Sequence, residues 1–327
     1  MNLVTPEEHP FAPFVRILGK GKRGARDLTR EEAREAMGML LDGKAEETQL
    51  GAFLMLLRHK EESAAELAGF TEAVRERLDA PAISVDIDWP SYAGKKRHLP
   101  WYLLSIKCLA QSGIRVFMHG GGPHTAGRLY TEQVLDLLEI RRCESWAEVD
   151  ETLAHDHLAF MPLGAWMPGL QRMIDQRNIL GLRSPIHSLA RILNPLRARC
   201  GLQSIFHPGY QANHREASRL LSDNAIVIKG EGGEIEINPD GLSHLYGTAA
   251  GNIWDEDWPA LSPQRHVKPA QLDPQHLLAV WRGEASDEYG ELAVLSTIAL
   301  ALRGLGEPRD VAFEHARRVW QQRNSSN

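Results

Sequence analysis

The residues that point most directly to a chemistry in this chain form two short basic runs. The first, Lys95–His98, lies in the loop that follows a predicted strand, and the second, Lys20–Arg23, lies in a glycine-rich stretch near the start. Loop lysines and arginines bind nucleic acids by neutralising phosphates and releasing the counterions that those phosphates hold. The two runs therefore predict contact with a polyanion. A second interpretation, in which each loop is merely solvated, stays open.

Gly19, Gly21 and Gly24 also match the G-x-G-x-x-G pattern of dinucleotide-binding loops. No predicted strand precedes them and cations lie among them, so a basic loop between two helices is the better interpretation. Tyr92 and Trp101 flank the other basic run, and we expect their rings to be available for stacking on unpaired bases. No Ser-His-Asp spacing, zinc motif or P-loop rises above chance in the sequence. The residue pattern favours binding of phosphates over a catalytic site.

The stretch from Asp27 to Leu78 has the period of three amphipathic helices. Thr29 and Ser63 are each followed by a glutamate three residues later, which is the spacing of a capping box at a helix start. Because three helices cannot bury all their apolar faces alone, we expect a partner surface, and a homodimer is the commonest solution. The faces in question carry Leu40, Leu50, Phe53 and Leu57.

From about Ala82 the pattern changes to alternating strands and helices. Alternation of this kind is typical of a mainly parallel sheet covered by helices on both faces. A helical stretch at Gly169–Asn194 interrupts it. The predicted strands are Ala82–Asp88, Ile114–His119, Leu158–Pro162, Ser204–His207, Ala225–Lys229 and the short Ile235–Ile237, and the predicted helices are Trp101–Gln111 and Thr131–Glu139.

Composition limits the classes of protein that fit. The 327 residues are 43% hydrophobic and 24% charged, which is ordinary for a globular protein and long enough for two domains. The longest nearly apolar run, Leu292–Leu302, is too short to cross a bilayer. Three cysteines without metal-ligand spacing indicate a reducing compartment, so we expect a cytoplasmic protein. The net charge of −6 repels polyanions, so a nucleic-acid site must be a local concentration of cations.

Asp27–Leu78 resembles the N-terminal helical module of the anthranilate phosphoribosyltransferase (TrpD) family over its whole length. Arg177–Ser184, with the sequence RNILGLRS, is similar to that family's Arg-x-x-Leu-Gly-x-Arg-Thr helix end. The resemblance implies an α/β fold of the nucleoside phosphorylase/phosphoribosyltransferase type. It implies a small all-helical, dimerising domain from residues 1–80 and 166–195. Residues 81–165 and 196–327 would form a large α/β domain around a mainly parallel central sheet.

The phosphate and metal motifs of that family are changed here. In place of the glycine-rich GTGGD loop the chain has WPSYAGKKRHLPW, where only Gly94 remains as a turn glycine. The family's magnesium-binding Asp-Glu pair reads Ile235-Glu236, and we interpret Glu236 as a solvated strand carboxylate. Arg177 falls where the family's substrate-carboxylate arginine lies. The resemblance thus leaves a remnant substrate site of His119, Gly120, Arg177 and Glu236.

Many of these changes add positive charge around the family's active-site cleft. The pattern resembles the divergent YbiB-like branch of the TrpD family, whose members bind nucleic acids and have no known transferase activity. We therefore predict a non-enzymatic, largely sequence-independent binder of single- or double-stranded DNA or RNA, without a cofactor, a metal or a membrane. The cations assigned to phosphates are Lys20, Lys22, Arg23, Lys95, Lys96, Arg97, Arg191 and Arg197.

Two alternatives stay open at this point. A surviving transferase would use phosphoribosyl pyrophosphate with an aromatic or nucleobase acceptor, and the retained His119 and Arg177 support it. A protein-interaction or regulatory module would use the dimer surface. Arg177 and Arg183 either bind a ligand or pair with acids such as Asp175.

Overall fold

The N-terminal helices begin where the sequence places their caps. The structure is a computed structural model that describes residues 7–207 and 209–323. Thr29 and Glu32 form a reciprocal capping box, and so do Ser63 and Glu66, which confirms both predicted helix starts. The helices of this region are α1 Ala12–Gly19, α2 Arg30–Leu41, α3 Glu47–Lys60 and α4 Ala64–Arg75.

The apolar faces of these helices are buried inside the protomer. Leu40 and Leu50 are 3% exposed, and Phe53 and Leu57 are fully buried. The Phe53 ring packs edge-on against Phe11, just before α1, with 5.3 Å between ring centroids. Phe11 and α1, which the count of three helices left out, thus cover part of the surface assigned to a partner. These helices therefore leave no surplus of apolar surface at Leu40, Leu50, Phe53 and Leu57, and the homodimer stays a prediction without that support.

A seven-stranded sheet lies at the centre of the α/β region, in the order β3-β2-β1-β4-β5-β6-β7. The first five strands of the chain pair in parallel, whereas β6 and β7 are antiparallel additions at one edge. The predicted fold class, a small helical domain plus a mainly parallel α/β domain, is confirmed. The strands are β1 Ile87–Ser91, β2 Val116–Gly120, β3 Leu158–Pro162, β4 Cys200–Ser204, β5 Ala225–Ile228, β6 Ser243–Ala249 and β7 Asn252–Trp258.

After β3 the chain returns to the helical region. There α8 contacts α2 and α10 contacts α4, and Arg75 donates a hydrogen bond to the carbonyl oxygen of Leu193 at 2.6 Å. This packing is what a discontinuous small domain would show. The boundaries of that domain stay a prediction. The remaining helices are α5 Tyr102–Gln111, α6 Trp146–His155, α7 Leu163–Trp166, α8 Pro168–Asp175, α9 Arg177–Leu180, α10 Ile186–Leu189, α11 Tyr210–Leu220, α12 Pro274–Arg282, α13 Glu288–Gly304 and α14 Arg309–Gln322.

Several predicted elements differ in position from the observed ones. The first strand begins at Ile87 and continues through Pro90, whose missing amide is tolerated because pairing with β4 stops at Asp88. Thr131–Glu139 forms two short 3-10 turns instead of a helix, since so short a segment follows its tertiary packing. Ile235–Ile237 forms no strand, and predicted strand Ser204–His207 is only the end of β4 and the loop after it.

The hairpin of β6 and β7 is missing from the sequence prediction because its signals are weak. Its two-residue turn, Ala250-Gly251, has φ angles of 49° and 79°. That conformation is a type I′ turn, which Asn-Gly or Asp-Gly usually forms. Asp255 and Asp257 lie on β7, although aspartate is uncommon in strands.

The longest nearly apolar run, Leu292–Leu302, lies within α13 and is largely buried in the core of the α/β region. Across residues 7–207 and 209–323, no helix combines the length and the apolar character needed to span a membrane.

Candidate functional site

The candidate site lies where the carboxyl ends of β1 and β4 meet. The chain adds β2 and β3 on one side of β1 and then crosses to β4 on the other side. In open α/β sheets, ligands bind in the crevice at such a switch point. Here a cavity of about 140 Å³ is bordered by Ala93 from the loop after β1 and by Ser204, Ile205 and Phe206 from β4 and the loop behind it.

The loop after β1 already holds a carboxylate of the protein itself. The backbone N–H groups of Ala93 and Gly94 both donate to Glu234 Oε1, at 2.6 Å each, and Glu234 is fully buried. Gly94 has a φ of 67°, in the left-handed region that favours glycine. Successive amides that point at one oxygen form an anion-binding concavity. Glu234 fills the place that an external phosphate would take in this loop.

Lys95, the first cation of the basic run, points into the protein. Its Nζ lies 2.6 Å from Glu236 Oε1, and both side chains are fully buried. Glu236 Oε2 accepts a hydrogen bond from the Tyr102 amide at 2.9 Å. Burial raises the pKa of the Glu236 carboxyl to about 7, while Lys95 acts in the opposite direction. Lys95 is therefore not a phosphate contact, and the interpretation of Glu236 as a solvated carboxylate is wrong.

Four arginines line the switch-point cavity, and no aspartate or glutamate that the structure describes does so. Arg191 is largely buried and donates to the carbonyl oxygen of Gly233 at 2.8 Å, and Arg128 donates to that of Gly94 at 2.8 Å. Among the described residues, none of the four forms an ion pair with a carboxylate. We call this cavity the arginine pocket; its arginines are Arg58, Arg128, Arg183 and Arg191.

Arg177 and Arg183 converge on one hydroxyl group at the edge of the site. Thr125 Oγ1 accepts from Arg177 Nη1 at 3.0 Å and from Arg183 Nη2 at 3.1 Å. Asp175, suggested by the sequence as a partner, accepts from Gln171 Nε2 instead. The alternative in which these arginines pair with Asp175 is therefore not observed. Of the two arginines, only Arg183 lines the arginine pocket.

A larger cavity of about 640 Å³ shares the Phe206 side chain with the arginine pocket, and we call it the outer groove. Glu231, Glu236 and Asp240 also line it, but Asp240 is hydrogen-bonded to His266 Nδ1 at 2.6 Å and Glu236 is paired with Lys95. The groove therefore has more cations than free acids. Its exposed cations are Arg97, Lys229, Arg265 and Lys268, and Lys96 is exposed in the same loop as Arg97.

Phe206 is the functional candidate that the sequence prediction missed. It is 55% exposed, and Lys229 Nζ lies 5.6 Å from its ring centroid. Tyr92 and Trp101, expected to be available for stacking, are each only 2% exposed and cannot reach a base. Because Phe206 falls inside the predicted strand Ser204–His207, its aromatic character indicates a core position. Only the observed end of β4 shows that it lies in a loop.

Comparison with known proteins identifies the family. A model described as "Glycosyl transferase family, helical bundle domain" matches residues 15–78. The structure of anthranilate phosphoribosyltransferase (TrpD) from Thermus thermophilus has a TM-score of 0.77 and 20% identity, with 95% of each chain covered. A protein of Escherichia coli (strain K12) named YbiB is 30% identical over 235 residues, 70% of this chain and 73% of that protein. The chain belongs to the TrpD-like family. An anthranilate phosphoribosyltransferase of Novosphingobium aromaticivorans is 28% identical over 305 residues, 86% of this chain and 88% of that protein.

The magnesium site that the TrpD family implies does not fit these residues. Of the two positions matched to its Asp-Glu pair, Ile235 is a buried hydrocarbon and Glu236 is bound to Lys95 and Tyr102. Magnesium bound against phosphates needs free carboxylate oxygens. In the part of the chain that the structure describes, no three His, Cys, Asp or Glu side chains converge as metal ligands.

Two residues retained from the TrpD motif have structural roles. The ring of His119 is fully buried, with Nδ1 2.7 Å from Tyr92 Oη and Nε2 3.3 Å from Asp88 Oδ1. A Cβ at Gly120 would lie 2.5 Å from the Ser91 carbonyl oxygen, so glycine is needed where β1 and β2 approach closely. These contacts explain their presence without a substrate.

The second basic run, Lys20–Arg23, makes no contact that links it to the cleft in the described part of the chain. Lys20, Lys22 and Arg23 are exposed in the loop between α1 and α2, where the Arg26 amide bonds the Ile17 carbonyl oxygen at 3.2 Å. Within residues 7–207 and 209–323, no hydrogen bond or ion pair joins these three cations to the switch point. Their role in phosphate binding stays a prediction.

Arg197 lies at the opposite edge of the sheet from the cleft. It precedes β4, so it stands at the amino end of that strand, whereas the arginine pocket lies at the carboxyl end. Its Nη1 lies 3.4 Å from Asp223 Oδ1, and Asp223 also pairs with Arg75. The assignment of Arg197 to the same phosphate-binding surface is wrong.

Proposed function

We propose that this TrpD-family protein binds nucleic acid in the outer groove without reading its sequence. Exposed cations neutralise successive phosphates, and Phe206 stacks on an unpaired base. The observation that carries the proposal is the exposed aromatic ring at a ligand-binding edge of the sheet, beside cations that pair with no carboxylate of the described residues. Proteins that bind single strands combine a basic groove with such stacking rings.

The charge distribution supports this assignment in a protein whose net charge is −6. Away from the cleft, many arginines are neutralised by acids, as in the Arg30–Glu72 and Arg77–Asp42 pairs. Around the outer groove no described carboxylate pairs with Arg97, Lys229, Arg265 or Lys268, which leaves these cations available for an external anion. A local excess of positive charge focuses a polyanion toward the groove even when the whole protein is acidic. Affinity would come mainly from counterion release and would fall with salt.

Replacing Phe206 with alanine should weaken binding of a single-stranded oligonucleotide by about 1–3 kcal/mol, roughly 5- to 150-fold. The salt dependence should not change, because no charge is removed. Phe206→Trp should retain binding, whereas Phe206→Leu keeps apolar surface without a ring and should behave like alanine. Fluorescence anisotropy with the four proteins measures this. Equal affinity for Phe206→Leu and wild type would show that the ring does not stack on a base.

The second candidate function is phosphoribosyl transfer, which the names of the relatives favour. YbiB carries no such activity in its name, but several relatives of similar identity are named anthranilate phosphoribosyltransferases. Against it stand Glu234 in the amide concavity and the absence of a fitting magnesium pair.

We expect no magnesium-dependent formation of phosphoribosyl anthranilate from phosphoribosyl pyrophosphate and anthranilate. The physical reason is that the two amides that would hold the pyrophosphate already bond Glu234. A fluorescence assay of anthranilate consumption measures this, with an active anthranilate phosphoribosyltransferase as positive control. Turnover above the rate without protein would establish the transferase instead.

A further inference from the structure

The arginine pocket carries polar groups that lack a partner inside the protein. Ser184 is 4% exposed and His187 is 6% exposed, and both line the pocket. Ser184 Oγ and His187 Nε2 have no hydrogen-bond partner among the described residues. Buried polar atoms are nearly always bonded, and an unpaired one in a native fold calls for a missing partner. Two such atoms beside four arginines indicate a ligand that is both anionic and rich in oxygen.

The pocket also has the shape and charge of a site for one small anion. Its volume of about 140 Å³ lies well below the 300–1,000 Å³ typical of pockets for whole organic ligands. Guanidinium groups present several N–H donors in a fixed plane that matches phosphate oxygens. The N-terminus of α11, which begins at Tyr210 in the pocket wall, has no side-chain cap from the described residues. A helix start adds favourable potential for an anion.

We propose that the arginine pocket binds a single phosphate monoester group, with Arg183 and Arg191 as its charged partners and Ser184 and His187 completing its hydrogen bonds. The outer groove would bind the phosphodiester groups along a nucleic-acid strand, whereas this pocket would bind one terminal phosphate group. The group can come from the terminus of a nucleic acid or from a free nucleotide, because both present the same chemistry. Phosphate binding in this pocket does not depend on the proposed nucleic-acid function. Only the assignment of that phosphate to the terminus of a nucleic acid rests on it.

His187 gives the pocket a means of choosing phosphate over sulfate. Its Nδ1 lies 3.2 Å from the Ser184 carbonyl oxygen, which can only accept, so Nδ1 carries the proton of the neutral ring and Nε2 is left as an acceptor. Burial, together with nearby charges, lowers the pKa of His187 to about 3. An anion that brings its own proton can therefore bond Nε2, and sulfate has none near neutral pH. The groups that face His187 are His124, at 5.3 Å between ring centroids, and Arg183 and Arg191, with Arg58 and Arg128 in the same pocket.

Isothermal titration calorimetry of the full chain with inorganic phosphate and with sulfate tests the site. We expect phosphate to bind and sulfate to bind at least tenfold more weakly. Arg183→Gln should weaken phosphate binding roughly 10- to 100-fold, the range for a lost bond to a charged group. Arg177→Gln is the matched control, because Arg177 bonds the same Thr125 hydroxyl but does not line the pocket. Arg191 is avoided as a test position because its loss would also leave buried carbonyl groups unpaired.

Three further ligands distinguish the source of the phosphate. Tighter binding of a 5′-phosphorylated single strand than of its 5′-hydroxyl form, lost in Arg183→Gln, would assign the pocket to a nucleic-acid end. Binding of adenosine monophosphate with no difference between the two strands would assign it to a free phosphomonoester. The proposal would be overturned if phosphate at millimolar concentration gave no binding heat and did not compete with the phosphorylated strand. It would also be overturned if sulfate bound as tightly as phosphate, or if Arg183→Gln bound phosphate with unchanged affinity. Failure of nucleic-acid binding alone would leave the phosphate result standing.

Discussion

Replacing Lys95 with methionine should lower the free energy of unfolding by about 3–5 kcal/mol near pH 8. The Lys95 ammonium is the charged partner of Glu236, and both side chains are fully buried. Without it, Glu236 must be buried as an unpaired charge or take up a proton. Replacing the neighbouring exposed Lys96 with methionine is the control, and it should change stability by less than about 0.5 kcal/mol. Urea denaturation of the two variants and the wild type measures both effects.

The loss in Lys95→Met should depend on pH in a defined direction. The folded-state pKa of Glu236 is already raised to about 7 by burial, above the ordinary 4.5, and loss of Lys95 would raise it further. A carboxyl with a raised folded pKa stabilises the fold less as the pH rises from its unfolded pKa through the folded one. The deficit of the variant should therefore be smaller near pH 5 than near pH 8. If the loss of stability in Lys95→Met grew toward acidic pH, or was absent at every pH, the buried Lys95–Glu236 pair would be contradicted.

Removing four cations around the outer groove should weaken nucleic-acid binding for every sequence alike. On single strands each phosphate contact contributes about −0.7 to the slope of log affinity against log salt, so the variant should have a slope shallower by about 3. Anisotropy titrations at several salt concentrations measure the slope. A slope equal to that of the wild type would place the contacts elsewhere. The changes are Lys96→Ala, Arg97→Ala, Lys229→Ala and Lys268→Ala.

Two controls make that result specific to the groove. Arg317→Ala with Arg318→Ala removes exposed charge from α14, whose arginines do not line the groove, and should leave the slope nearly unchanged. A triple alanine variant of Lys20, Lys22 and Arg23 tests the other basic run. A shallower slope in that variant would assign the loop between α1 and α2 to the same interface.

The sequence predicts the elements of this fold better than the direction of its side chains. Capping boxes at Thr29 and Ser63 and the alternation of strands are local signals, so the helical region and the parallel sheet follow from them. In the basic run after β1, the direction of each side chain could not be predicted from the sequence. Lys95 pairs its backbone with Leu129, N to O at 2.7 Å, and its side chain is buried, whereas Lys96 and Arg97 are exposed. That difference depends on a segment distant in sequence.

The same limit applies to the anion-binding concavity. The loss of GTGGD predicts that the pyrophosphate loop is altered, but not that Glu234 enters it from a loop after β5. Phe206 and the arginine pocket likewise arise from loops that only the strand order of the sheet brings together. Arg191 and Arg197 are similar in sequence context, yet one lines the pocket and the other lies at the opposite end of β4.

The proposed function is binding of a nucleic acid through its phosphates, in the cleft of this TrpD-family fold. The most direct measurement is a fluorescence-anisotropy titration of wild-type protein with labelled single strands of two unrelated sequences at several salt concentrations. We expect binding at low salt, similar affinities for the two sequences, and a linear fall of log affinity with log salt. Absence of binding at low salt, or an affinity that does not respond to salt, would contradict it.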